Sequence, residues 1–308
     1  MPELPEVQAT VDGIKARVLG RRFKNLWTDW PKMLKDPLDQ RRIRHNHVRY
    51  FKSYLRGEKI LSVKRRAKNI VFDLSGGKAM LIHQKMSGHL LLGKWKILKG
   101  RKERGTRDRA MAVAPSVMKT DPWNGYIRLI FYFNQGPMLA FSDLRRFGKV
   151  IVGRKSDLEN LPELKNLGPE PLGKSFDFKK FESIITRERR KVKQVLMDPF
   201  VIAGIGNIYS DDILWRAKIH PFRSANHLKK KELNDLFKAM KTVLAKAMKF
   251  KGTSAGDYRT PAGQPGDYFD SRYVYKREGE PCRRCGRKIV RVKMGGRSAR
   301  YCPRCQKY

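Results

Sequence analysis

The feature that most limits what this chain can fold into lies at its end. Cys282, Cys285, Cys302 and Cys305 are its only cysteines, and they fall within the last 27 residues as two C-x₂-C pairs sixteen residues apart. Each pair can turn two sulfurs toward one ion, which is the arrangement of tetrahedral zinc. Disulfides between such neighbours staple little, and they are rare in reducing compartments. Four protein ligands leave no open position for a substrate water, so the expected cofactor is one structural zinc. Between the pairs KIVRVKM alternates and Gly295-Gly296 offers a turn, so the metal is expected to staple a β-hairpin dense in arginine.

Charge narrows the possible partners. The 308 residues carry 69 Lys and Arg against 29 Asp and Glu, a formal net charge of +40. Surfaces tuned only for solubility mix both signs, with a net of about 2–8 for a small domain, so an excess this large points to a polyanion and to nucleic acid first. A 40% hydrophobic content supports ordinary cores and argues against wholesale disorder. No segment approaches the ~18 apolar residues of a membrane helix, and Glu3 and Glu6 stand where a signal peptide would be basic. No membrane partner is expected.

Hydrophobic spacing divides the chain. Val7, Val11, Ile14 and Val18 recur at helical intervals, predicting an amphipathic helix from Pro5 to Leu19 that stops at Gly20. From Arg21 to Val152 the runs YFKSYL, NIVFDL, AMLIHQ, YIRLIFYF, PMLAFSD and KVIVG read as strands separated by turns, favouring antiparallel sheets packed as a sandwich. Residues 93–121 form a long basic stretch of weak periodicity, expected to be an exposed insertion. Residues 158–177, rich in Pro, Gly and acid, read as a boundary. Helices are expected over 178–186, 191–197, 209–217 and 228–250. The Gly- and Pro-rich stretch 252–270 then reads as a long loop that is not regular structure. The fold class is therefore α+β and multidomain.

The opening MPELPEV carries possible chemistry. If Met1 is removed, Pro2 presents a secondary amine. A generic α-amine has a pKa of ~8 against ~10.4 for lysine, so far more of it is neutral at pH 7. Such an amine attacking an aldehyde carbon gives an iminium, which is an electron sink. Glu3 and Glu6 stand beside it as candidate acid/base groups. Proline and acidic residues in a first helical turn are also ordinary capping, and composition alone does not decide between the two.

Further blocks extend along the chain: RRAKNIVFDL at 65–74, HQKMSGHL at 83–90, DLRRFG at 143–148, LGPEPL at 167–172, GIGNIY at 204–209, IHP at 219–221, GEPCRRCG at 279–286 and RYCPRCQ at 300–306. With MPELPEV and the cysteine pattern, this set resembles the bacterial formamidopyrimidine-DNA glycosylases, the wider family that includes endonuclease VIII. The resemblance implies an N-terminal helix and β-sandwich, a helix–two-turns–helix domain and a zinc hairpin, with damaged double-stranded DNA held between them. It implies a catalytic sandwich domain over 1–155, a helix–two-turns–helix domain over 156–251, a mobile lesion-capping loop over 252–271 and a zinc-finger hairpin over 272–308.

The same resemblance implies a bifunctional glycosylase/AP lyase of base excision repair, acting as a monomer in the bacterial cytoplasm near the nucleoid. Pro2 would attack C1′ of the damaged nucleotide and Glu3 would assist base loss, with Glu6 beside them. Lys68 would serve β-elimination, and Arg297 would grip phosphate and serve δ-elimination. Asn207, Lys193 and His83 would contact DNA. Met86, Arg145 and Phe147 would fill the gap left by an extruded base, Met and Phe replacing stacking area and Arg meeting the orphaned partner base. Outside the family match, Met86 and Phe147 would read as core residues. The complete trio favours oxidised purines over the pyrimidines of the endonuclease VIII branch; a zinc-hairpin DNA-binding protein without catalysis is the remaining alternative. The chain also departs from the family. DPWNGY at 121–126 stands where a histidine-rich DNA contact is usual, and Leu144 stands where proline is usual.

Overall fold

A computed structural model describes residues 1–37, 47–100 and 108–308. The chain divides into two compact units, one formed by residues 1–165 with 251–266 and the other by 166–250 with 267–308.

The first unit opens with α1 (Leu4–Val18). Glu3 is its N-cap in a capping box with Glu6, Pro5 lies in the first turn, and Leu4, Val7, Val11, Ile14 and Val18 form its buried stripe. Gly20, at φ +77°, turns the chain away after the last helical residue. The strands that follow are β1 (Phe23–Thr28), β2 (Leu34–Lys35), β3 (Ile60–Arg66), β4 (Asn69–Leu74), β5 (Lys78–His83), β6 (Gly88–Leu98), β7 (Arg109–Ala114), β8 (Ile127–Phe133), β9 (Met138–Asp143) and β10 (Lys149–Arg154). They form two five-stranded sheets, ordered β1-β8-β9-β6-β7 and β2-β10-β5-β4-β3. Every pairing is antiparallel except the short β2–β10 contact. Phe23, Leu90, Leu129, Phe131 and Phe141 of one sheet meet Val63, Ile70, Phe72, Met80 and Val150 of the other in a single apolar core. Each such side chain contributes about 1.5–3 kcal/mol by leaving water.

Two expectations are corrected here. YFKSYL is not a strand but part of α2 (His47–Leu55), whose buried His47, Phe51 and Leu55 follow helical spacing, Phe51 and Leu55 joining the core. The stretch 93–121 is largely regular: β6 runs on to Leu98, β7 pairs back along it, and α3 (Val117–Thr120) follows. Trp95, Met118 and Ile127 bury a second, smaller cluster beneath this extension. Residues 101–107 of that stretch lie outside those described. Two short helices, α4 (Lys155–Glu159) and α5 (Pro162–Lys165), close the segment 1–165.

The second unit contains α6 (Phe178–Ile185), α7 (Val192–Met197), α8 (Asn207–Ala217), α9 (Lys230–Lys249) and the short α10 (Tyr268–Ser271). The helices expected from sequence are all present, around a core that includes Phe181, Val195, Leu214, Leu236 and Met240. The chain ends in the antiparallel hairpin β11 (Val290–Met294) and β12 (Arg297–Tyr301), as the alternation predicts. Asp212 of α8 is buried and accepts hydrogen bonds from the Tyr268 hydroxyl and from the N–H groups of Tyr273 and Val274, anchoring the chain that leads to the hairpin. Burial pushes its carboxyl up, and these bonds oppose that shift only in part.

Candidate active site and nucleic-acid contacts

At the start of α1, Pro2, Glu3 and Glu6 are all buried, under an exposed Met1. The Glu3 carboxylate accepts from the Glu6 N–H in the capping box, and Glu6 Oε2 accepts from the Glu3 N–H at 2.7 Å. Glu6 Oε1 accepts from the Thr253 N–H at 2.6 Å, and the Tyr258 hydroxyl donates to the Glu6 carbonyl at 3.0 Å. Gly252 makes this approach possible: a Cβ there would fall 2.6 Å from Glu6 Oε1, and its φ is +83°. Both carboxylate oxygens of Glu6 are thus committed to backbone. A carboxylate so engaged fixes the position of the N-terminal turn.

Lys68 sits in the tight turn between β3 and β4, after Ala67 at φ 53°. Arg65 fixes that turn against α1, donating to Gln8 Oε1 and to the Ala67 carbonyl. Close by, at the end of β5, His83 Nδ1 accepts from the Lys85 N–H. Burial, then the charges of Lys85, Lys149 and Lys68, pull its pKa down to about 3. Its imidazole is therefore neutral at pH 7. The lysines around it hold the positive charge, and burial with repulsion from Lys149 pulls Lys85 down as well.

The intercalating trio lies on two loops of this unit. Met86 occupies the 84–87 turn, while Arg145 and Phe147 follow β9. Phe147 is 53% exposed, with the Arg145 guanidinium 4.8 Å above its ring, so it is not a core residue. A buried polar latch joins the loops: Ser87 Oγ donates to Asp143 Oδ1 at 2.5 Å and accepts from the Arg145 N–H, and Asp143 Oδ2 accepts from the Gly148 N–H. Sequence reading did not identify Ser87 or Asp143. Their signal was the β6–β9 register, which sets Gly88 opposite Asp143.

In the second unit Asn207 opens α8 behind its N-cap Gly206, at a helix N-terminus suited to anions. Lys193 is fully buried. Its ammonium donates to Asp211 Oδ1 at 2.5 Å and to the Ser298 carbonyl at 2.6 Å. This corrects the expected DNA contact: Lys193 ties α7 and α8 to β12, one residue from Arg297. Arg297 itself is exposed at the hairpin turn.

The four cysteine sulfurs lie within 4.8 Å of one another, with Cys282–Cys305 at 4.0 Å and Cys285–Cys302 at 3.4 Å. Thiolates ~2.3 Å from a tetrahedral zinc stand ~3.8 Å apart, so the set fits that ion. Burial tends to raise the Cys282 thiol, but N–H donors from Arg284, Trp215 and Cys285 outweigh it and bring the pKa to about 6, while burial and the neighbouring thiols push Cys302 and Cys305 up.

A sandwich with a buried proline-glutamate N-terminus, a helical unit and a zinc hairpin define a class of DNA-processing proteins, and comparison with known proteins narrows it. Residues 1–150 match the formamidopyrimidine-DNA glycosylase N-terminal domain, residues 167–258 the formamidopyrimidine-DNA glycosylase H2TH domain, and residues 279–307 the zinc finger found in FPG and IleRS. The chain is 33% identical over 310 residues to the formamidopyrimidine-DNA glycosylase of Heliobacterium modesticaldum, with all of both chains covered. It is 34% identical over 307 residues to that of Herpetosiphon aurantiacus, covering 99% of this chain and all of the other. The crystal structure of MutM (FPG) from Thermus thermophilus superposes with a TM-score of 0.79 at 33% identity, covering 99% and 98% of the two chains. A Lactococcus lactis FPG complex with Fapy-dG DNA gives 0.80 at 27%, covering 99% and 100%. The chain belongs to the formamidopyrimidine-DNA glycosylase family, and its hairpin is that family's zinc finger, with Cys282, Cys285, Cys302 and Cys305 holding one structural zinc.

Proposed function

We propose that this protein is a bifunctional DNA glycosylase and AP lyase that removes oxidised purines, 8-oxoguanine and formamidopyrimidines, from double-stranded DNA as a monomer. The observation that carries the reading is the N-terminus: Pro2 is buried and joined to Glu3, which is held by reciprocal hydrogen bonds with Glu6, not left as a loose tail. Once Met1 is removed, the Pro2 nitrogen attacks C1′, the base leaves with a proton, and the sugar ring opens to an iminium with Glu3 moving protons. The iminium acidifies the C2′ proton. Loss of that proton expels the 3′ phosphate, Lys68 serving this step, and a second elimination at the 5′ side is served by Arg297. Met86, Arg145 and Phe147 occupy the gap left by the extruded base, Asn207 and the lysines around His83 take phosphate, and the segment 252–271 covers the lesion. Zinc supplies no chemistry and holds the arginine-rich hairpin.

Duplexes carrying 8-oxoguanine or thymine glycol, incubated side by side with the protein and borohydride, test this. The reading expects nicking and a covalent adduct on the 8-oxoguanine duplex above all. Preference for thymine glycol would move the protein to the pyrimidine branch, and binding without nicking on either duplex would remove catalysis altogether.

A further inference from the structure

The segment that replaces the family's histidine-rich stretch has a partner elsewhere in the first unit. Asp121 caps the turn after α3, accepting from the Trp123 N–H through Oδ1, and its Oδ2 accepts from Arg259 Nε at 2.6 Å. Both side chains of this pair are mostly buried. The other face of the Arg259 guanidinium is tied to its own loop, Nη1 donating to the Gly256 and Tyr258 carbonyls. Asn124, fully buried, donates through Nδ2 to the carbonyls of Val117 and Gly263, each at 3.1 Å. Gly263 is left no room for a side chain, since a Cβ would lie 2.9 Å from Asn124 Nδ2 and 3.1 Å from Met118. Pro261 completes the contact. Its carbonyl accepts from the Leu92 N–H at 2.8 Å, and its ring packs where Gly13 of α1 leaves space.

These contacts fasten residues 256–263 at one end, while Thr253 and Tyr258 of the same segment hold Glu6 at the other. Glu6 in turn holds the N–H of Glu3, the residue joined to Pro2. We infer that Asp121, Asn124 and Arg259 form a clasp that sets the N-terminal amine for attack: they are positioning residues that act through the 251–266 segment and Glu6 and make no contact with substrate. The buried ion pair suits the task because its worth depends on geometry, so the loop has one well-defined seat and not a range of them. This inference rests on Pro2 being the nucleophile.

Two measurements on the full-length zinc-loaded protein test it. In the first, single-turnover borohydride trapping on an abasic duplex is compared for the wild type, Asp121→Asn, Arg259→Gln and the swap Asp121→Arg/Arg259→Asp. A misplaced reacting atom costs up to about a hundredfold, so the single variants should trap of the order of ten- to a hundredfold more slowly with an unchanged Kd, and the swap should recover much of the rate. In the second, amide exchange of Thr253, whose N–H reaches Glu6, should quicken by about tenfold or more in the single variants and return in the swap. Wild-type rates and wild-type exchange in Asp121→Asn and Arg259→Gln would overturn the clasp. If the wild type itself fails to trap, the reading of Pro2 fails, and the exchange measurement still decides whether the clasp holds the loop. A loss of Kd equal to the loss of rate would make these residues part of the DNA-binding surface and would also overturn the inference.

Discussion

In the sandwich unit the buried carboxylates Glu6 and Asp143 accept from nearby N–H groups and a hydroxyl: Glu6 takes the N–H groups of Glu3 and Thr253, and Asp143 takes Gly148 N–H and the Ser87 hydroxyl. The apolar core beneath them spans both sheets. In the helical unit the buried charges instead join one element to another: Lys193 links α7 and α8 to β12, and Asp212 links α8 to the chain entering the hairpin. The first arrangement aims chemical groups on a scaffold that stands without them. The second makes the polar contacts part of the scaffold. Damage to the sandwich network should therefore cost rate, and damage to the helical network should cost stability.

The largest expected effect tests the first half. A variant with residues appended before Pro2 turns the amine into an amide, which cannot form an iminium. Trapping and nicking should fall to background while Kd and melting temperature stay near wild type, since charge and core are unchanged. Robust trapping by the extended protein, with mass spectrometry showing the extension intact, would place the nucleophile on a lysine.

The second half is tested at Lys193. Removing one partner of a buried pair leaves the other charge uncompensated and costs about 3–5 kcal/mol, and a much shorter side chain adds a cavity that one of similar volume does not. Lys193→Ala should lower the denaturant midpoint of the helical unit strongly, and Lys193→Met should recover part of the loss. Equal effects of the two variants would mean that charge, not volume, is what the site requires.

The comparison also accounts for what was legible in the sequence. The apolar repeat of α1, the helices of the second unit and the cysteine pairs were readable because local spacing carries them. Tyr50, Phe51, Tyr54 and Leu55 were misread as a strand although Phe51 and Leu55, four apart, already had helical spacing; a short run rich in aromatics satisfies both periods. β7 escaped because RAMAVA alternates with alanine, which carries little strand signal. The motif residues Pro2, Glu3, Lys68 and Arg297 were visible as family blocks. The groups that hold such residues were not: Asp121 meets Arg259 across 138 positions and Lys193 meets Ser298 across 105. Only tertiary structure brings those pairs together. It also showed that Lys193 is spent on the fold.

A smaller effect concerns acid. His89, fully buried in β6, is pulled down to about 4, by burial first. A folded-state pKa below the unfolded value of ~6.5 means that the unfolded chain binds the proton first. The stabilisation is complete above pH 6.5 and is lost as pH falls toward 4, amounting to about 2 kcal/mol between pH 7 and pH 5. Urea unfolding of the sandwich at those two pH values should show this drop, and His89→Gln should flatten it. A drop of the same size in the variant would assign the acid sensitivity to other groups.

The smallest expected effect lies where the two schemes meet, at Arg297, an exposed side chain seated on a hairpin that Lys193 and zinc hold in place. Because it is exposed and, among the described residues, its side chain donates only to the Gly296 carbonyl at 3.3 Å, its removal should leave stability within experimental error. Each phosphate contact adds ~0.9 to the slope of log affinity against log salt, so Arg297→Ala should reduce that slope by about one. The same variant should accumulate the β-elimination product at abasic sites, because the second elimination loses its helper while Pro2 and Lys68 are untouched. Cys282→Ser, which removes the support and not the side chain, should lower the slope by more than one unit by releasing the whole arginine-rich hairpin. If Arg297→Ala and Cys282→Ser change the slope equally, the hairpin contributes only this one phosphate contact. If Arg297→Ala leaves the slope unchanged, its guanidinium does not reach the DNA backbone.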